Sequence, residues 1–524
     1  MSILRQYGTR ENPQSEPIPG SGQVQNEAGG YCFAVDDWVR LERFLILGSE
    51  GGTYYASERA LTIQNAEVVV RCLKADLERT LRTVVEISDA GRAPKNEPAI
   101  LALAIAAASG QIKSVIEVLP KVCRIGTHLF GFAEAVQRQR GWGRGLKRAI
   151  SNWYDSQSVD ALAYQVAKYR ERNGWSHRDL LRLAHPKTED LARNAVYEWV
   201  VGKSQPGSEA LPPFLRACDE VKHAGVVQVV TAISDHNLPR ECVPTEHLND
   251  LDVWEALLDK MPLMAMVRNL AKMTSIGLIA PNSAAAQKVC GRLRDQEYIK
   301  KSRLHPLALL LASSVYSSGH GLKGNLSWVP VSTVNDALED AFYLAFGNVT
   351  SAGKRTLLAL DVSGSMDGSQ IAGTALSARE AAAAMALVTA RTEPNYQFMA
   401  FGTEFVPLNI TARSRLPEAI CLTRSLPFGA TDCSYPLVWA LGRKVPVDTF
   451  VVYTDSETWA GWIHPCQALQ KYREQMGIPA RMIVVGMTSN GFSIADPRDR
   501  GMLDVVGFDT ATPEIMNGFS RGDF

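Results

Sequence analysis

Five oxygen-bearing residues in three separated stretches could share one cation. They are Asp361, Ser363 and Ser365 in the run Asp-Val-Ser-Gly-Ser, then Thr431, then Asp455. Carboxylates and hydroxyls are hard donors that suit Mg²⁺, or another divalent cation such as Mn²⁺; Mg²⁺ prefers six oxygens and keeps some waters. Two acids and three hydroxyls leave a coordination position open, where a partner's carboxylate could bind. Apolar runs at 356–360 and 450–454, each with the pattern of a buried parallel strand, lead directly into Asp361 and Asp455, and Thr431 lies in the loop 428–432. In an open parallel sheet, loops at the carboxyl ends of neighbouring strands meet in one crevice, which is where ligands bind. Taken alone, Asp-x-Ser-x-Ser also fits a polar strand-to-helix turn whose Asp or Ser caps the next helix. The two further loops, in the right order, favour a metal.

The elements that must position these residues form two regions with different patterning. From about residue 354, strand-like runs at 356–361, 397–401, 448–454, 480–487 and 503–508 alternate with helices, including an Ala-rich helix expected over 371–391. This predicts a doubly wound, Rossmann-like α/β domain over residues 351–524. The metal-binding pattern resembles the metal-ion-dependent adhesion site (MIDAS) of von Willebrand factor A domains. One departure is Ser456, which follows Asp455 where many members of that family have Gly; this changes the loop but removes no ligand.

Residues 1–350 read as helices, for example 98–109, 159–172, 188–201 and 251–273, separated by Gly- or Pro-containing breaks such as 203–207. Many consecutive antiparallel helices predict an α-solenoid, in which each helix pair buries its face by stacking on its neighbours. The Gly- and Pro-rich segment up to residue 30 is expected either to be disordered or to wrap as an arm.

The 524 residues exceed the size of a single core, so two or more domains are expected. The chain has 46% hydrophobic and 21% charged residues, without a run near the roughly 20 apolar residues that span a bilayer, so a soluble, cytoplasmic protein is expected. Nine scattered cysteines form no Cys-x-x-Cys pair, which argues against a zinc ribbon or a disulfide framework and fits a reducing compartment. The 55 basic and 55 acidic residues cancel, but residues 121–187 hold 13 Lys or Arg against 5 Asp or Glu, whereas residues 351–524 hold 15 against 17. The helical region is therefore the candidate for a polyanion.

Within that basic region, a helix ending near Asn173-Gly174 would place Lys168 and Arg172 four apart on one face, and Ser176 could cap the next helix, with Arg178, Arg182 and His185 at helical spacing and Lys187 beyond. Upstream, Arg138, Arg140, Arg144, Lys147 and Arg148 surround Trp142. Such clusters suit the phosphates of a folded RNA; a solvated helix face is the plainer meaning of a charge run. Taken alone, His177 and His185 are read as ordinary surface or packed histidines. Tyr54, Tyr55 and Trp175 could stack bases but more often pack locally, and the Gly-rich loop 48–53 lacks the Lys-Ser/Thr ending of a P-loop and is read as structural. The C-terminal Arg521-Gly522-Asp523 is read as chance.

Several stretches, among them 44–55, 122–125, 168–183 with its Arg-Asn-Gly-Trp-Ser-His run, 268–273 and 320–324, look like the Ro autoantigen family, whose N-terminal region is the TROVE module, and a bacterial member is suspected. The resemblance covers nearly the whole chain and implies a closed ring of HEAT-like helical repeats whose ends a von Willebrand factor A domain joins, in a monomer. It further implies binding of small noncoding Y RNA on an outer basic surface, at positions matching Lys168, Arg172 and His185, with Lys187, Arg124 and Arg138 as neighbours. Misfolded noncoding RNA would enter a central hole by its single-stranded 3′ end, with Arg268, Lys272, Arg303 and His305 as basic groups that could face that hole. Bacterial relatives are thought to work beside an exoribonuclease, such as polynucleotide phosphorylase. The chain itself is read as non-enzymatic, because phosphodiester chemistry with two metals wants more acids in one cluster. Two alternatives are a Mg²⁺-dependent protein-interaction module with an incidental basic patch and, more weakly, a metal-dependent hydrolase at Asp361 and Asp455.

Overall fold

The computed structural model describes residues 7, 10–139, 141–204, 209–321, 325–347, 349–402, 404–427 and 429–523; Arg140, residues 205–207, residues 322–324 and Phe428, all named above, lie outside them. The C-terminal domain is built on six strands in the order β11-β9-β8-β5-β6-β7. These are β5 (Thr356–Asp361), β6 (Tyr396–Phe401), β7 (Phe405–Pro407), β8 (Thr449–Thr454), β9 (Arg481–Gly486) and β11 (Met502–Val506). The five longer strands pair in parallel, and short β7 adds an antiparallel edge that the sequence pattern did not reveal. Strands β5 and β8 are buried at every residue, as their unbroken apolar runs require.

The Ala-rich helix starts later than expected, at Ala378, and runs to Thr392. Residues 371–373 form a separate 3₁₀ turn in which Ala372 sits at φ 47°. Ser377 and Glu380 make a reciprocal capping box that fixes the true start.

Helices from Asp37–Leu47 to Ser332–Leu344 make up the other region. The expected helix 251–273 is two helices, Leu251–Lys260 and Leu263–Ser275, because Pro262 lacks an N–H and its preceding residue is pushed out of the helical region. The expected helix 159–172 ends at Lys168. Beyond it, β3 (Glu171–Arg172) pairs with β4 (Trp175–Ser176) across a two-residue turn. Asn173 and Gly174 have φ of 54° and 74°, the two positive values that a type I′ hairpin demands.

The helical array turns back on itself. Near its start, Asp89 pairs with Arg303 at 2.9 Å, and the Arg92 carbonyl lies 3.1 Å from His305 Nε2. The sheet domain seals this junction: the Phe508 carbonyl lies 2.9 Å from the same Nε2, and Asp509 pairs with Arg92 at 2.6 Å. Two further contacts fix the domains together. Buried Arg43 donates two bonds of 2.7 Å to Asp504, and at the far end the Leu416 amide donates to Glu339 at 3.0 Å.

Residues 10–36 run as an arm over the sheet domain. In it β1 (Val24–Gln25) pairs with β2 (Tyr31–Ala34), and β2 with β10 (Phe492–Ser493). Gln14 donates to Asp432 and to the Ile463 carbonyl, each at 2.8 Å. Among the described residues no helix is long and apolar enough to cross a membrane, and all nine cysteines are free thiols.

Candidate metal centre and nucleic-acid interface

Central strands β5 and β8 are neighbours, so their carboxyl ends deliver Asp361 and Asp455 side by side. The Ser363 amide donates to Asp361 Oδ1 at 2.9 Å, and the Thr454 hydroxyl donates to Asp361 Oδ2 at 2.6 Å. Ser363 and Ser365 hydroxyls are 3.1 Å apart, and the Ser365 hydroxyl reaches the Asp455 carboxylate. Thr431 is brought in by its backbone: its carbonyl accepts from the Trp459 and Ala460 amides at 3.1 Å each, just past Asp455. All five residues are at most 4% exposed.

Burial raises both carboxyl pKa values above the usual range; for Asp455 the nearby charge of Asp361 adds to the effect. Two buried carboxylates in mutual repulsion are costly unless a cation neutralises them. The donor set is all oxygen, and no cluster of three or more His, Cys, Asp or Glu occurs among the described residues. The residues therefore fit a small hard divalent cation such as Mg²⁺ and not zinc.

Ser456 occupies left-handed backbone at φ 64°, and its amide donates to the Thr454 hydroxyl at 3.0 Å. This conformation explains why Gly is the easier residue there. Three neighbours escaped sequence reasoning. Thr454 is hidden within the strand run. Burial, then the charge of Asp455, lifts the Glu457 carboxyl to about 8, and Glu457 holds the Ala28 amide and Asn490, each at 3.1 Å. Tyr55 is exposed at its outer edge but stands beside the site: desolvation raises its hydroxyl to about 12, aided by the charges of Asp455, Glu457 and Asp361. Its loop docks on the metal loop, with the Tyr54 amide donating to Ser369 at 3.1 Å. No motif in the sequence links residue 55 to 361; only the fold does.

The basic surface is assembled differently. Trp142 and Trp175 lie with ring centroids 5.3 Å apart, which sets the β3–β4 hairpin against the segment leading into helix Arg144–Asp155. Arg138, Arg144, Arg148, Arg172, Arg178, Arg182, His185 and Lys187 are all exposed. Ser176 caps helix His177–Ala184 in a capping box with Asp179, so Arg178 and Arg182 follow at helical spacing. Lys168 is half-buried at the end of its helix, where its Nζ donates to the Tyr164 hydroxyl at 2.8 Å and lies 5.0 Å from that ring's centroid. Because the chain leaves the helix after Lys168, Lys168 and Arg172 do not share a helical face; the hairpin carries Arg172 instead.

The TROVE domain model matches residues 24–207 and 236–317, and the Ro60 vWA domain model matches residues 355–520. The chain is 44% identical to "RNA-binding protein RO60" of Deinococcus radiodurans over 100% of its own length and 99% of that protein's. The chain belongs to the Ro60 family. A Caenorhabditis elegans "RNA-binding protein RO60" is 37% identical, covering 96% of this chain and 90% of that protein. The solved "Crystal structure of Deinococcus radiodurans RO (RSR) protein" superposes with a TM-score of 0.69 at 43% identity, covering 93% of this chain and 100% of that one.

In this Ro60-family chain some expected RNA contacts are placed otherwise. His305 is 3% exposed and holds the ring junction, so it faces no hole. Its Nδ1 accepts from the Leu307 amide at 3.1 Å, which leaves Nε2–H to donate to the two carbonyls. Burial depresses its pKa to about 4, so it is neutral and offers phosphate no charge. Arg303 is exposed and paired with Asp89 at the same junction. Arg124 is half-buried, donating to Ser88 and to the Lys121 carbonyl at 2.9 Å each. Burial lowers its pKa first and the charge of Arg303 adds to this. Arg138 pairs with Glu134 at 2.6 Å but stays exposed. Arg268 is exposed and Lys272 half-buried on helix Leu263–Ser275, Lys272 donating to Asn249 at 2.5 Å. His177 is packed, its Nδ1 2.7 Å from the Tyr154 hydroxyl.

Proposed function

We propose that this chain is a non-enzymatic RNA-binding protein that holds small structured noncoding RNA, of the Y RNA type, on the surface made by the β3–β4 hairpin and the helices on either side. The observation that carries the reading is that eight exposed basic residues lie on or beside the helices and hairpin that flank the Trp142–Trp175 contact. Their charges come from separate elements and so spread over a surface, as phosphates on a folded backbone do, instead of lining one helix. Phosphate contacts position an RNA and release counterions, so binding would fall steeply with salt and depend little on sequence. The two relatives, both named RNA-binding proteins, support the same class of ligand.

The wider role is RNA quality control in the cytoplasm: 3′ single-stranded ends of misfolded RNA are captured through the ring, and an exoribonuclease acts alongside. Arg268, Lys272 and Arg303, which is exposed though paired with Asp89, are the remaining candidates for the strand, since His305 is withdrawn by burial. The metal centre is read as a Mg²⁺ site for a protein partner. When bound, the cation supplies an electrophilic position for a partner's carboxylate; Asp361, Ser363, Ser365, Thr431 and Asp455 hold it, and Thr454 orients Asp361. Electrophoretic mobility of a structured small RNA at rising salt tests the main reading. Lys168→Glu/Arg172→Glu should release the RNA at lower salt than wild type, and equal binding by both proteins would refute it.

A further inference from the structure

Above the end of helix Val159–Lys168 opens a cavity of about 330 Å³. Tyr164 and Lys168 line one side; Arg240, Leu257, Ala265 and Asn269 line the others. The volume lies in the range of about 300–1,000 Å³ typical of small-molecule sites. Its walls combine an apolar floor with an amide and unmatched positive charge. Lys168, Arg240 and Lys260 border it with Glu241 as the one acid, three cations against one anion.

The polar groups have capacity left over. The Tyr164 hydroxyl accepts from Lys168 at 2.8 Å, which leaves its own proton to donate. Asn269 is 9% exposed; its Oδ1 accepts from Arg240 at 2.9 Å, and one Nδ2 proton is taken by the Ala265 carbonyl at 2.8 Å. The second Nδ2 proton is left over for a ligand acceptor. A flat heterocycle with a hydrogen-bonding edge, attached to a phosphate, has the complementary chemistry: ring against Leu257 and Ala265, edge on Asn269, phosphate between Lys168 and Arg240.

We infer that this cavity takes one unpaired nucleotide of a bound RNA, its base turned into the pocket and its phosphate held at the rim. The inference rests on the proposed RNA-binding surface, because Lys168 belongs to both and the hairpin bearing Arg172 begins three residues beyond it. It adds selectivity to an otherwise sequence-blind surface: a bulged stem satisfies surface and pocket together, a perfect duplex only the surface.

The test uses the full-length protein and two hairpin RNAs, one fully paired and one with a single bulged nucleotide. Wild type should bind the bulged RNA about tenfold more tightly. Ala265→Phe, which fills the cavity, and independently Arg240→Gln, which keeps the side chain's bulk and removes its charge, should each bring that ratio to near one without weakening the paired hairpin. Equal binding of both hairpins by wild type, or a preference that survives both variants, overturns the inference while leaving the RNA-binding surface standing. Failure of wild type to bind either hairpin overturns that surface as well. Saturable binding of free adenosine monophosphate, blocked by Ala265→Phe and accompanied by no preference between hairpins, overturns the assignment to RNA and gives the cavity to a free nucleotide.

Discussion

The metal centre and the basic surface solve opposite problems. At the first, a proposed site, five oxygen-bearing residues on three loops are each at most 4% exposed, so packing fixes them without an ion. At the second, charges stand in solvent on a hairpin and three helices, held by local contacts that include one Trp–Trp pair and a capping box. A buried site gains strength from low dielectric but must neutralise its charges. An exposed surface avoids that penalty and makes up for weak single contacts with number, at the cost of salt sensitivity.

The comparison can be broken first at the joint that carries both regions. Asp504→Ala leaves the Arg43 guanidinium buried without its bidentate partner, and chemical denaturation should show a loss of about 3–5 kcal/mol. A loss under about 1 kcal/mol would mean the two regions are not mechanically joined there.

The metal centre comes next. Saturating Mg²⁺ should stabilise the protein by about 2.7 kcal/mol at a hundred times the dissociation constant. Asp361→Asn should abolish the Mg²⁺-dependent rise in melting temperature while leaving the metal-free protein at least as stable, since it removes one of two repelling buried charges. A destabilised metal-free variant would contradict the repulsion.

The ring junction predicts a pH dependence. His305 titrates near 4 when folded against about 6.5 when unfolded, so the native state binds fewer protons between those values. Its stabilising contribution is complete above pH 6.5 and lost as pH falls toward 4, about 2 kcal/mol by pH 5. His177, also buried, and the half-buried His128 both have depressed pKa values and add slopes of the same sign. Comparing wild type with His305→Gln isolates one junction: the variant should lose less stability between pH 7 and 5, and equal losses would show that His305 is not buried neutral.

The smallest effect concerns the hairpin. Gly174→Ala places a β-carbon on backbone at φ 74°, with about 1–2 kcal/mol of local strain. Thermal melting should drop modestly, and RNA affinity should fall with it if Arg172 is held in place by that turn.

What was legible in the sequence follows the same division. Strands of the sheet domain announced themselves because their apolar runs are unbroken, and the spacing of Asp361, Thr431 and Asp455 along alternating elements mapped directly onto one sheet end. The basic region was legible in composition but not in shape. Asn173-Gly174 signalled a hairpin and was read as a helix end, since Gly also suits that role and the helical periodicity upstream masked the turn. His305 looked like a phosphate ligand because residue type does not reveal burial. Tyr55, Glu457 and the course of the arm were beyond reach: their partners lie more than 300 residues away, and no local periodicity records a contact at that separation.

The central claim is that the hairpin surface grips folded RNA through phosphates. The most direct test measures the affinity of a structured small RNA across salt for wild type and for Lys168→Glu/Arg172→Glu. Two lost phosphate contacts should flatten the slope of log affinity against log salt by about 1.4–1.8 and weaken binding to every structured RNA alike. Parallel slopes of equal affinity would contradict the account.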